Sequence, residues 1–214
     1  MSDKSNKYGY VGVDIPAQSF GANKGVFNPA EINDLVANNQ WTTFGQLELI
    51  QTQTVSGVAD IEFTDIKQNI YNVHFMTLAL DCTGGAGTAY YSIQFYENGI
   101  GWETASVYQY AYQWGKPSGT FSVTQSTTAP SLVAGFFLAN NPTVNAYHYF
   151  YNLGDSSKYS FQTTNSFTQD SVDAGFRFGS GVLPQTSTVT GIRLLANATT
   201  TSTGTVSLYG IRYS

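Results

Sequence analysis

The side chains that carry most chemistry are scarce in this sequence. It holds two histidines, His74 and His148, and one cysteine, Cys82. A serine–histidine–carboxylate relay needs an imidazole beside a hydroxyl. His74 alternates along its segment with Phe75 and lies near Met76 and Leu78, which favours a packed ring over a general base. His148, between Tyr147 and Tyr149, reads as a half-exposed strand residue; its functional alternative is a polar contact on a binding face. No G-x-S-x-G elbow occurs. Cys82 has no C-x-x-C partner, and two histidines do not build the usual zinc sets. A buried thiol is expected there. The 14 carboxylates are thinly spread. A glycosidase needs two that face each other, and Glu48, Glu62, Glu97 and Glu103 are those that folding could bring together. Asp155, Asp170 and Asp173 lie in Gly/Ser/Asn-rich segments but spell no EF-hand. The clusters Gly84-Gly85-Ala86-Gly87 and Gly179-Ser180-Gly181 lack the lysine and the strand–helix context of a phosphate loop, so they are expected to be turns. The sequence thus predicts no catalytic residue, no cofactor and no metal.

A stripe of aromatics offers more. Ser106, Tyr108, Tyr110, Tyr112 and Trp114 alternate with Val107, Gln109, Ala111 and Gln113, so they share one strand face. Such rings can stack on sugars, pack between sheets or form a subunit interface. Phenol oxygens need partners when buried. Tyr108, Tyr110, Tyr112 and Trp114 are therefore the candidate ligand or subunit face, with core packing as the structural alternative.

The elements that must position these residues are strands. From Gln46 onward the apolar pattern has period two, in about ten short segments. Tyr71 to Leu78 and Tyr91 to Phe95 are examples, and Asn98-Gly99 marks a tight turn. Further candidates are 132–138, 146–151, 159–163, 174–178, 188–195 and 205–213. Strands at this density without intervening helices predict a sandwich or barrel. The expected fold is all-β: a jelly-roll-like β-sandwich over 46–214, with an extended N-terminal arm and one short helix in 1–45.

That helix is signalled by capping chemistry. Asn28 suits the N-cap, Pro29 the first helical position and Glu31 the capping-box site. Ile32, Leu35 and Val36 then make an apolar stripe too short to stand alone in water. The preceding arm carries anchors among glycines. Tyr8, Tyr10, Val11, Ile15, Phe20 and Phe27, with Ile32, Leu35 and Trp41, form the expected docking set; the alternative for the arm is a strand or loop lying on its own domain.

Composition excludes some partners. Only 11% of residues are charged and 15% are aromatic, with a net charge of −5. Single scattered basic residues make no nucleic-acid footprint and no anchor for anionic membrane. No stretch has the length of an apolar membrane span. The polar first residues show no signal peptide, so synthesis in a cytosol is expected.

Several segments resemble small virion structural proteins from tailed phages of marine bacteria. They are Phe20-Gly-Ala-Asn-Lys-Gly-Val-Phe27, Trp41 with Gln46-Leu-Glu-Leu-Ile-Gln-Thr-Gln-Thr54, Ser106-Val-Tyr-Gln-Tyr-Ala-Tyr-Gln113 and Tyr151-Asn-Leu-Gly-Asp-Ser-Ser-Lys158. Phe178-Gly-Ser-Gly-Val-Leu-Pro184 and Gly204-Thr-Val-Ser-Leu-Tyr-Gly-Ile-Arg212 look like the closing strands of a β-sandwich found in phage tail and capsid-surface proteins. The resemblance implies a non-enzymatic virion component, synthesised in the host cytoplasm. Its partners would be capsid, tail or baseplate proteins and its assembly a homo-oligomer with a trimer favoured; the alternative, resting on exposed aromatics and amides, is a module that binds a host surface glycan.

Overall fold

Val, Ile, Thr and the aromatics pack well on a pleated surface, and they build thirteen strands among the described residues. The computed structural model describes residues 29–38, 47–83, 90–119, 121–136, 143–169, 174–196 and 201–211. The chain divides into two units, Met1–Gly45 and Gln46–Ser214. In the first, helix α1 spans Pro29–Ala37 with Glu31 in its first turn. It ends where the Asn38 backbone N–H and side-chain amide both donate to the Asp34 carbonyl, at 3.0 and 2.8 Å. Ile32 and Leu35 are half-buried and Val36 is exposed. The other expected docking residues, Tyr8, Tyr10, Val11, Ile15, Phe20, Phe27 and Trp41, lie outside the described residues.

In the second unit the strands are β1 (Leu47–Val58), β2 (Asp60–Phe63), β3 (Val73–Thr83), β4 (Tyr90–Glu97), β5 (Gly101–Trp102), β6 (Tyr108–Gly115) and β7 (Ser122–Ala129). Then follow β8 (Leu132–Phe136), β9 (Thr143–Tyr151), β10 (Ser160–Gln169), β11 (Ala174–Leu183), β12 (Val189–Ala196) and β13 (Thr201–Ile211). One antiparallel sheet has the order β1-β13-β3-β9-β10-β11-β6-β7. The other runs β2-β12-β4-β5, with β8 also paired to β4.

The topology is a jelly roll with additions. Without β5, β6, β7, β10 and β11, eight strands remain in two sheets, β1-β13-β3-β9 and β2-β12-β4-β8. Taken in chain order, the first pairs with the eighth, the second with the seventh, the third with the sixth and the fourth with the fifth. A long antiparallel hairpin folded over on itself gives this nesting. The added strands leave two connections, β4 to β8 and β9 to β12, and extend the larger sheet past β9.

Alternation fills the space between the sheets. Met76, Leu78, Leu80, Phe150, Val206 and Leu208 meet Phe63, Ile93, Phe95, Leu132, Ile192 and Leu194 from the opposite sheet. Phe95 and Phe150 pack edge to face, with centroids 6.0 Å apart. Each such ring removed from water contributes about 1.5–3 kcal/mol. The extension obeys another rule. On β10 the inward residues are Ser160, Gln162, Thr164, Ser166 and Thr168, all buried, while Phe161 and Phe167 point outward and are exposed. Gly179-Ser180-Gly181 lies inside β11, so the expected turn is corrected to a strand. Cluster 84–87 lies outside the described residues.

Candidate functional site

The aromatic stripe faces inward from β6. Tyr108 and Tyr112 are 0% and 1% exposed, while Tyr110 and Trp114 are half-buried. Tyr108 and Tyr112 therefore pack between the sheets and form no outer face for a ligand or subunit. Their hydroxyls serve backbone of the facing sheet. Phe95 N–H donates to the Tyr108 oxygen at 2.9 Å, and Val133 N–H to the Tyr112 oxygen at 3.3 Å. Tyr112 donates in turn to Gln162 Oε1 at 3.3 Å. Gln162 Nε2 lies 3.4 Å from the Val133 carbonyl and 2.9 Å from His148 Nδ1. Within the polar inner row of β10, this arrangement accounts for Gln162. It faces β8, whose Val133 amide and carbonyl take side-chain partners from the opposite sheet.

Glycine makes room for the ring. A Cβ on Gly179 would lie 2.5 Å from Tyr112 Cδ1 and 2.4 Å from the Ala111 carbonyl oxygen. Burial raises the Tyr112 phenol pKa, so the ring stays protonated and able to donate. Tyr112→Phe leaves the Val133 amide and Gln162 Oε1 without this partner. The expected loss is about 1–3 kcal/mol of unfolding free energy by urea titration, with little change in strand content.

Both histidines are core residues. His74 Nε2 stands 2.7 Å from the Ile66 carbonyl oxygen and the residue is fully buried. His148 is also fully buried, which corrects the half-exposed expectation. The inward register that places Phe150 in the core places His148 beside it, the rings 6.0 Å apart. The Cys82 thiol is 2% exposed and donates to the Tyr91 oxygen at 3.2 Å. Burial raises its pKa, which leaves an inert thiol.

The outer face of the larger sheet has a different character. Phe75 on β3 contacts Tyr149 on β9 and Tyr209 on β13, at 4.8 and 6.1 Å between centroids. Tyr147, Tyr149 and Tyr151 form a file along β9. Phe161, Phe167 and Phe178 continue the face across β10 and β11, at 42%, 53% and 45% exposure. Threonine, serine and asparagine fill the positions between, and Asn165 Nδ2 donates to the Tyr147 hydroxyl at 3.1 Å. From β13 to β11 the described outward residues include one charge, Asp81, at the far end of β3, where it accepts from Thr143. No described strand lies over this face. Sequence reasoning missed it because β9 and β10 carry aromatics in phase with the outward row. The alternation Tyr147-x-Tyr149-x-Tyr151 was legible, but its side of the sheet was not.

Of the four candidate carboxylates, two stand apart with their own partners and two come together. Glu48 accepts from the Tyr71 hydroxyl at 2.6 Å. Glu62 lies 3.6 Å from Arg193, whose guanidinium also covers the Trp102 ring. Glu97 and Glu103 do converge. Burial, and then the neighbouring Glu103 carboxyl, raise the Glu97 pKa. Asp155 is committed to Lys158 and Ser157, which hold its pKa well below the usual carboxylate range. Asp170 and Asp173 lie outside the described residues. Among the described residues no group of three or more His, Cys, Asp or Glu could hold a metal, and no helix is long and apolar enough to cross a membrane. Compared with known proteins, the chain matches no family model, no curated protein and no solved structure.

Proposed function

We propose that the chain is an exterior structural module of a bacteriophage particle, a decoration, fibre or baseplate component that assembles as a homotrimer. The observation that carries this reading is the uncharged aromatic outer face of the larger sheet. A contiguous surface of this kind is costly to leave in water and marks an interaction site. Its lack of charge gives a charged partner nothing to pair with and sets up no repulsion between copies, so a second copy of the chain is the occupant we favour. The jelly roll supplies a rigid platform, and the resemblance of the sequence to phage virion proteins points the same way. The N-terminal segment, residues 1–45, would join the module to the capsid, tail or baseplate.

Light scattering on the purified chain tests the assembly. The expected mass is that of a trimer, reduced to a monomer in the double variant Phe167→Lys, Phe178→Lys with its β-spectrum retained. A monomeric wild-type chain removes the interface. Electron microscopy of purified particles, with and without residues 1–40, tests the placement; normal incorporation of the truncated chain removes the docking role.

The Asn165–Tyr147 pair gives a second reading some support, because amides beside phenol rings suit sugar hydroxyls. The face would then bind a host surface glycan. A glycan array separates the two: binding lost in Phe167→Lys without change of mass favours the sugar.

A further inference from the structure

The cleft between the β4–β5 turn and the β11–β12 loop measures about 510 Å³ and is open to solvent. Glu97 and Glu103 line it together, with Gln185, Ser187, Tyr159 and Ile100 among the other walls. Glu97 ends β4, where it pairs with Val189 on one side and Gly101 on the other. Gly99, at φ +77°, turns the chain back so that Glu103 returns to the same cleft. The Glu103 amide is fixed to the Phe95 carbonyl at 2.9 Å. Its carboxylate is oriented by the Ala105 amide at 2.7 Å and Gln185 Nε2 at 3.2 Å.

Two features make this more than a pair of acids. Glu97 is 2% exposed, yet its Oε1 accepts no well-formed hydrogen bond, and the Ser187 hydroxyl stands beside the same carboxyl. A buried carboxylate oxygen without a partner is costly, and a second carboxyl alongside makes it more so. Among the described residues no lysine, arginine or histidine lines the cleft to offset the charge. Hard cations such as calcium bind through just such oxygens, take a flexible number of ligands and accept water for the rest. The open side of the cleft supplies that water.

We propose that the Glu97 and Glu103 carboxylates, with the Ser187 hydroxyl, bind a calcium ion in this cleft. The ion ties the β4–β5 turn to the β11–β12 loop and neutralises the paired carboxylates. Thermal unfolding of the full chain in chelator and in calcium chloride tests it. At a hundredfold excess over the dissociation constant the midpoint should rise by about 5–10 °C. Glu97→Gln and Glu103→Gln keep the side-chain shape and should each abolish most of that shift. Terbium provides a second measurement that does not depend on stability. Its emission, sensitised by Tyr159 in the same cleft, should appear with the wild-type chain and fall when calcium is added. An unchanged wild-type midpoint overturns the proposal, and so does a shift retained in both variants or terbium emission that calcium does not displace.

Discussion

Acidification from about pH 7 to about pH 5 lowers the stability of the β-domain steeply, by roughly 4 kcal/mol. The cause is the buried histidine pair. Burial lowers the pKa of His74 from 6.5 to about 4, an effect partly opposed by the Ile66 carbonyl, and that of His148 from 6.5 to about 3. No charged group contributes to either shift. Below pH 6.5 the unfolded chain takes up two protons that the folded chain refuses. The stabilising contribution is therefore complete above that value. It is lost as pH falls towards 4 for His74 and 3 for His148, at about 1.4 kcal/mol per pH unit for each ring. Glu97 works in the opposite sense: its raised pKa favours the folded state below its unfolded value, which softens the slope. Urea titrations at several pH values give the profile. His148→Leu should remove about half of the dependence, and a flat profile in the wild-type chain would contradict the burial of both rings.

Gly179→Val should abolish folding or cost at least ~3 kcal/mol, the upper range for overpacking in a core. The new Cβ meets backbone, the Ala111 carbonyl oxygen at 2.4 Å, as well as the Tyr112 ring. A flexible side chain could swing aside; a paired ladder strand cannot. Gly179 lies directly opposite Tyr112 in the β11–β6 register. Displacing either strand also breaks the contacts from Tyr112 and Gln162 to Val133. Ser180→Val, one residue on and facing outward, should change the thermal midpoint little. Equal effects at the two positions would mean that the glycine has no packing role.

These two sites also mark how far the sequence could be read. Period-two alternation predicts the strands because pleating is local, and capping residues predict α1 because the cap is local. The jelly-roll nesting follows from pairings between distant segments, such as Leu47 with Ile211, which alternation leaves open. Alternation correctly groups Tyr108, Tyr110, Tyr112 and Trp114 on one face but is silent on what lies opposite. Gln162 on the inner row of β10 reverses the usual sign of burial because it meets β8 backbone and the Tyr112 hydroxyl. Gly179-Ser180-Gly181 resembles a turn until the ring that occupies its missing side chains is known. Glu97 and Glu103 are only six positions apart, but the turn at Gly99 decides whether they meet.

The place of β13 governs how the protein can be made. A ribosome releases β1 and β3 long before β13, the strand that separates them in the larger sheet. Until it emerges, both neighbours carry open edges, a state prone to slow pairing and aggregation. Translation that stops short of Thr201 removes an interior strand of the sheet rather than its margin and leaves β1 with no partner in it. A nonsense codon before Thr201 thus breaks the sheet from within.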